Sequence, residues 1–293
     1  AGIGNTIIDF SSLARGITIV GTAASVQNNN AIRNLTIQNS NNVSGLDTDF
    51  CDFFQLENVR ITSCDQKGLR IRRGRHFIAM NVRSDNNTGN GIEIASVSGA
   101  SGTVRNFTLL SCLSESNGGI GFAFIGDTNA VGQYSIQDCR SFSNTGDGFD
   151  WTASSGTPTA QCSVISCIAD TCGGIGFDAN QEYTKFFHCE SYDNTGDGFE
   201  VDRGVLVGCN YSSNAGLDFD LSDKCTVIGP VSDDRDEPDV TQRIFSQTAT
   251  VTVSNTAVET TLTGTGHGSL TLPVDYISIG RTIRIKAWGF YST

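Results

Sequence analysis

Apolar positions in this chain recur in short alternating runs, not at helical spacing. Phe107-Thr108-Leu109 and Tyr134-Ser135-Ile136 place apolar residues two apart, the period of a strand with one buried face. Each run precedes a cysteine, and a longer pattern starts there. Cys139-Arg140-Ser141-Phe142-Ser143-Asn144-Thr145-Gly146-Asp147-Gly148-Phe149-Asp150-Trp151 returns as Cys189-Glu190-Ser191-Tyr192-Asp193-Asn194-Thr195-Gly196-Asp197-Gly198-Phe199-Glu200-Val201. The pattern also fits residues 112–124, 167–179 and 209–221. It fits residues 82–94 with Val82 as origin, and residues 64–71 with a shortened turn.

Aligned in this way, the repeats form columns. Cysteine dominates the first (Cys64, Val82, Cys112, Cys139, Cys167, Cys189, Cys209). Asparagine dominates another (Asn87, Asn117, Asn144, Cys172, Asn194, Asn214). Two apolar columns run from Leu69 to Phe219 and from Ile71 to Leu221, and glycine fills one bend position. The origins are unevenly spaced, 18 residues from Cys64 to Val82 but 30 from Val82 to Cys112. Constant strands with variable corners exclude a rigid helical-repeat array and define an all-β right-handed parallel β-helix. One coil cannot bury its inward residues alone; coils stacked at roughly 4.8 Å can. Asparagine at a bend can hydrogen-bond to the same residue one coil away.

Composition agrees. The 293 residues contain 33 Gly, one Met and 10 Cys, and the formal net charge is −12. Such a charge disfavours a nucleic-acid backbone, an anionic membrane and a simple electrostatic clamp on an acidic polysaccharide. No apolar run approaches membrane-spanning length. The cysteine column reads as free, buried thiols packed between coils. Zinc is not expected, because His76, His188 and His267 are scattered. The opening Ala1-Gly2-Ile3-Gly4 reads as the interior of a longer chain. The helix is expected over residues 1–230, an acidic linker or cap over 231–244, and the start of an antiparallel, jelly-roll-like β-sandwich over 245–293.

Between the two apolar columns lies an outward one: Arg70, Glu93, Ala123, Asp150, Asp178, Glu200 and Asp220. Alternation turns it to solvent. Asp147 and Asp197 protrude from the adjacent bend, two coils apart. Three uses compete for these acids. They can be a solvated face, a Ca²⁺ site at Asp178, Glu200 and Asp220, or a carboxylate pair for glycoside hydrolysis drawn from Asp147, Asp150, Asp178, Asp197 and Glu200. Glu93, Asp220, Tyr192 and Tyr211 are candidates for binding glycan. Long insertions at residues 95–105, 125–132 and 152–160 leave the coil at one corner, where they would wall a groove beside the acids. Arg70, Arg72, Arg73 and Arg75 cluster on early coils; a lyase would need such a base, although acid-paired surface is the simpler reading.

On the repeated Asn-x-Gly-x-Gly-Phe turn, the coiled part resembles the pectate-lyase-like β-helix superfamily, which includes phage tailspikes. The segments Thr256-Ala257-Val258-Glu259-Thr260-Thr261-Leu262 and Gly280-Arg281-Thr282-Ile283-Arg284-Ile285-Lys286-Ala287-Trp288-Gly289 look like phage and viral tail-fibre sequence. Together the resemblances imply a virion spike or fibre exposed outside the cell. It would be a homotrimer beside other virion proteins, with cell-surface polysaccharide as partner and no required cofactor. A polysaccharide hydrolase or lyase and a purely architectural helix are the alternatives. Gly266-His267-Gly268 and Arg284-Ile285-Lys286 also look like two motifs of polygalacturonase-type hydrolases. Both lie outside the repeat, and the one Asp-Asp, Asp233-Asp234, sits in the linker, so the match reads as chance.

Overall fold

A computed structural model describes residues 6–11, 13–21, 27–96, 104–126, 131–151, 162–221 and 225–228, with main chain alone at 27–28 and 180–183. The chain divides into units Ala1–Val240 and Thr241–Thr293. The expected linker and sandwich, and the polygalacturonase-like motifs, lie outside the described residues.

Alternating apolar residues give strands, and each strand pairs in parallel with its counterpart on the neighbouring coils. One coil runs through a first face (Ile92–Ala95), a second face (Val104–Leu110) and a third face (Leu113–Glu115), then returns by a bend to Phe122–Ile125. Register holds along the stack: Ile92 pairs with Leu69 and Phe122, Phe122 with Phe149, and Phe149 with Phe177. The parallel β-helix read from the repeat is therefore the fold.

In-register stacking makes the core from like on like. Phe122, Phe149, Phe177 and Phe199 lie ring over ring, with centroids 4.6, 4.8 and 4.8 Å apart. Inside the second face Phe77, Phe107 and Tyr134 stack at 4.7 and 5.2 Å. Each buried ring contributes about 2–3 kcal/mol of hydrophobic stabilisation. All ten cysteines are free thiols, nine of them buried.

Corners need left-handed backbone, and small polar residues supply it. Between the second and third faces stand Asn58, Asn81, Ser111, Asp138, Ser166 and His188, with φ between 51° and 53°, and then Gly208 at 60°. Asn tolerates this region because its short side chain bonds locally. Here the amides link coils: Asn81 Nδ2 donates to Asn58 Oδ1 at 3.1 Å, and Asn58 Nδ2 to Asn34 Oδ1 at 3.0 Å.

The buried asparagine ladder forms at the next bend. Asn87 Nδ2 donates to Asn117 Oδ1, Asn117 Nδ2 to Asn144 Oδ1, and Asn194 Nδ2 to Asn214 Oδ1, each at 2.9 Å. Asn87, Asn117, Asn144 and Asn194 each also donate to the Ser Oγ three residues before, as Asn117 does to Ser114 at 3.0 Å. Cys64 belongs to this ladder, which corrects its assignment to the cysteine column. Its N–H donates to Asn87 Oδ1 at 3.0 Å, while Val82 pairs with Val59. Counted from Val59, that coil has a full-length bend. Cysteine and asparagine are both small enough for the ladder, so the residue type misled.

Candidate functional site

The outward acidic column is continuous: Arg70 pairs with Glu93, Glu93 with Ala123, Ala123 with Asp150, Asp150 with Asp178, Asp178 with Glu200, and Glu200 with Asp220. Its position matches the expectation, but its accessibility differs. Glu93 and Asp150 are only 2% and 7% exposed, and Ala123 is wholly buried. Cations cover Glu93: Oε1 lies 3.0 Å from Lys67 Nζ and 3.1 Å from Arg70 Nε. Asn90 Nδ2 donates to its other oxygen at 3.0 Å. A buried carboxylate closed in this way stabilises its coil only while paired. Glu93, expected as a glycan contact, is therefore closed off from solvent. Solvent reaches the half-buried Asp178 and Glu200 and the exposed Asp220.

Asp147 and Asp197 have partners in the main chain. Asp147 Oδ1 accepts the N–H of Ile175 at 2.7 Å, and Asp197 Oδ1 that of Leu217 at 2.5 Å. Asn90 does the same for Ile120 at 3.0 Å. Each side chain passes over a glycine of the next coil. A Cβ on Gly174 would lie 2.0 Å from Asp147 Oδ1, and one on Gly216 2.1 Å from Asp197 Oδ1. One oxygen of each proposed catalytic acid is thus committed to holding the bend.

The tyrosines separate. Tyr211 pairs with the inward Ser191 and is 5% exposed, its ring edge-on to Phe219 at 4.6 Å. It is core, which corrects its assignment to a glycan surface. Tyr192 is outward and half-buried on the third face. Burial, then the neighbouring Glu190, pushes its phenol up to about 12. The rest of that face is a lattice of charge. Arg140 pairs with Asp170 at 2.5 Å and lies over the Phe142 ring, 4.8 Å from its centroid. Asp85 takes Arg60 at 2.8 Å and Arg83 at 3.0 Å. Burial opposes the charge on Asp85, but hydrogen bonds from Arg60 and Thr62 outweigh it and hold the carboxyl below the usual range.

Asp178, Glu200 and Asp220, expected as a calcium site, are not gathered into a group that could hold a metal ion. Among the described residues no three His, Cys, Asp or Glu side chains gather to hold a metal ion. One carboxylate per coil lines up along the axis and does not converge on a point. The early arginines are paired surface: Arg72 meets Asp47 at 3.0 Å, Arg73 meets Asp49, and Arg75 meets Asp52 at 2.7 Å. The loops expected to wall the groove lie, across residues 97–103, 127–130 and 152–161, outside the described residues.

Two outward surfaces escaped the sequence reading. On the second face Met80, Leu110, Gln137, Ile165, Phe187 and Val207 pair in succession, a largely apolar, half-buried stripe. At the corner leading into that face, Phe53 is 51% and Ile78 43% exposed. Both were legible once the register was known, since outward apolar residues break the alternation.

No protein-family model matches the chain, and no curated protein matches its sequence. Its fold is similar to that of pectate lyase Pel9A, with TM-score 0.55 and 15% identity over 78% of this chain and 67% of that one. It is similar to ORF18 of Geobacillus virus E2, with TM-score 0.55 and 16% identity over 78% of this chain. It is also similar to the A-module of mannuronan C-5 epimerase AlgE4 from Azotobacter vinelandii, with TM-score 0.53 and 13% identity over 79% of this chain and 80% of that one. This chain matches about half, 47%, of the viral protein. The architecture is thus a pectate-lyase-like parallel β-helix. Among the described residues no helix is long and apolar enough to cross a membrane.

Proposed function

We propose that this chain is a viral or phage tailspike- or tail-fibre-like protein that recognises cell-surface polysaccharide along the side of its β-helix. The observation that carries this reading is the register. Outward side chains recur once per coil, roughly every 4.8 Å, and a repeating surface suits a repeating polymer. Two of the similar folds carry names of enzymes for polysaccharides, pectate and mannuronan, and the third belongs to a virus. Asp178, Glu200, Asp220 and Tyr192 are the accessible candidates on the faces. A homotrimer on the virion surface is the assembly that goes with this reading, and the apolar stripe from Met80 to Val207 supports self-association. The sandwich over residues 245–293 belongs to the same proposal.

A second reading is depolymerisation. Asp178 and Glu200 are paired residues on neighbouring coils, so their backbones are roughly 4.8 Å apart. That is near the ~5–5.5 Å separation of carboxyl groups in retaining glycosidases. Incubation with a panel of bacterial and algal polysaccharides, followed by size analysis and absorbance of unsaturated uronates, separates the readings. Binding without shortening supports recognition. Shortened products make the protein a depolymerase, and the absorbance divides lyase from hydrolase. Neither binding nor cleavage leaves a purely architectural helix.

A further inference from the structure

We infer that Lys67 and Asn90, on neighbouring coils, join side chain to side chain in an isopeptide bond, with Glu93 as the acid–base catalyst. The bond lies in the bend that leads into the first face. It needs no ligand, so it stands apart from the glycan reading.

Register brings the three groups together. Gly68 N–H donates to the Asn90 carbonyl at 3.0 Å, and Arg70 pairs with Glu93. Lys67 and Asn90 are therefore equivalent positions one coil apart, with backbones separated by roughly 4.8 Å. The Glu93 carboxylate reaches both side chains. Its Oε1 lies 3.0 Å from Lys67 Nζ, and its Oε2 accepts from Asn90 Nδ2 at 3.0 Å. Arg70 Nε is 3.1 Å from Oε1 as well, but it is not aligned to donate. Asn90 Oδ1 takes the N–H of Ile120, on the coil beyond, at 3.0 Å. Glu93 is buried, and Lys67 and Asn90 are half-buried. These are the contacts of the unreacted side chains.

The column itself singles out this coil. Positions equivalent to Asn90 on later coils hold Ile120, Asp147, Ile175, Asp197 and Leu217, as the N–H bonds of the bend glycines show. Asp147 and Asp197 cap the next coil as Asn90 does, but as acids. The amide stands only beside the lysine. Among the described residues the other lysine, Lys185, is on the second face, paired with Val205.

The reaction draws on these residues alone. The Lys67 ammonium gives a proton to Glu93, and the free amine attacks Asn90 Cγ. Negative charge gathers on Oδ1, where the Ile120 N–H already donates. Glu93 passes its proton to Nδ2 and takes one from the attacking nitrogen. The Cγ–Nδ2 bond breaks, the C=O re-forms, and ammonia leaves with the last proton as ammonium. The chain has lost one ammonia and Lys67 its charge, and Arg70 remains as the counter-ion of Glu93. A rival attack on Cγ by the following main-chain nitrogen would close a succinimide. That nitrogen is committed, since Gly91 N–H donates to the Ile120 carbonyl at 2.9 Å.

The test is intact mass and tryptic mapping of the purified whole protein. The mass is expected to fall one ammonia below that of the sequence. Trypsin should release residues 61–70 joined to residues 84–105, because a linked Lys67 is no longer a cleavage site. Lys67→Arg, which keeps the charge, and Glu93→Gln should both show the full mass, with circular dichroism as the fold control. Asn90→Asp should lose water in place of ammonia. If Glu93→Gln fails to fold, Glu93→Asp replaces it; its acid is one methylene short and should leave most chains unlinked. Full mass in the folded wild-type protein overturns the bond. So does loss of ammonia without the joined peptides, which would mark the succinimide. A link that forms undiminished in the folded Glu93 variant overturns the catalytic role of Glu93.

Discussion

Gly174 has no room for a side chain because Asp147 already occupies the space above it. A methyl there would meet Asp147 Oδ1 at 2.0 Å and displace the carboxylate from the N–H of Ile175. Gly174→Ala should destabilise the fold by about 2–4 kcal/mol, as overpacking combined with a lost main-chain bond. In an Asp147→Ala background the same change should cost about 1–2 kcal/mol less, because the clashing oxygen is gone. Urea denaturation of the four proteins measures the coupling. An additive result would free Asp147 from this structural role and return it to the candidate acids. The residue scale was also where the sequence was least legible. Alternation correctly pointed Glu93 outward, but the cations that cover it come from the preceding coil. Spacing within one coil cannot show whether an outward residue has a lid. Tyr211 is different: it stands two positions after Cys209, as the inward Ser191 does after Cys189, so the repeat itself placed it inside.

Among the elements, the asparagine ladder is broken between Asn87 and Asn214 at Cys172. There Cys172 Sγ meets Ser141 Oγ at 3.4 Å where other coils place an amide. The same coil carries Ala169 in the serine column, between Ser141 and Ser191. The two departures belong together. An amide at position 172 would accept from Asn144, but it would lack the Oγ that each neighbouring amide uses. Cys172→Asn alone should therefore change stability little, while Cys172→Asn with Ala169→Ser should stabilise by about 1–2 kcal/mol. A double-mutant cycle in urea checks this, and additivity would mean that ladder and serine column act separately. Faces, bends and core columns were legible because each repeats a residue type at a fixed place. Cys64 was misassigned because residue type was matched ahead of register.

Across the whole molecule, chemistry that depends on access is suppressed. Nine of the ten cysteines are buried, and Cys225 alone is part-exposed. Burial pushes the Cys139 and Cys167 thiols well up. The thiolate is the reactive form, so buried members should be inert in the native protein. A colorimetric thiol reagent should consume about one equivalent quickly, at Cys225, and the remainder only with unfolding. Fast reaction of several thiols would mean that coils open locally, well below the global unfolding free energy. At this scale the sequence was most informative, because stacking turns a weak local pattern into a column.

The stacked pairing also sets how the molecule responds to force. Interstrand hydrogen bonds run along the stacking direction, so a push on either end is borne by all faces at once. The same arrangement makes a pull on an end coil of the stack act on a single coil at a time, each freed before strain reaches the next. The described coils are therefore expected to act as a stiff strut under compression and a zipper under tension.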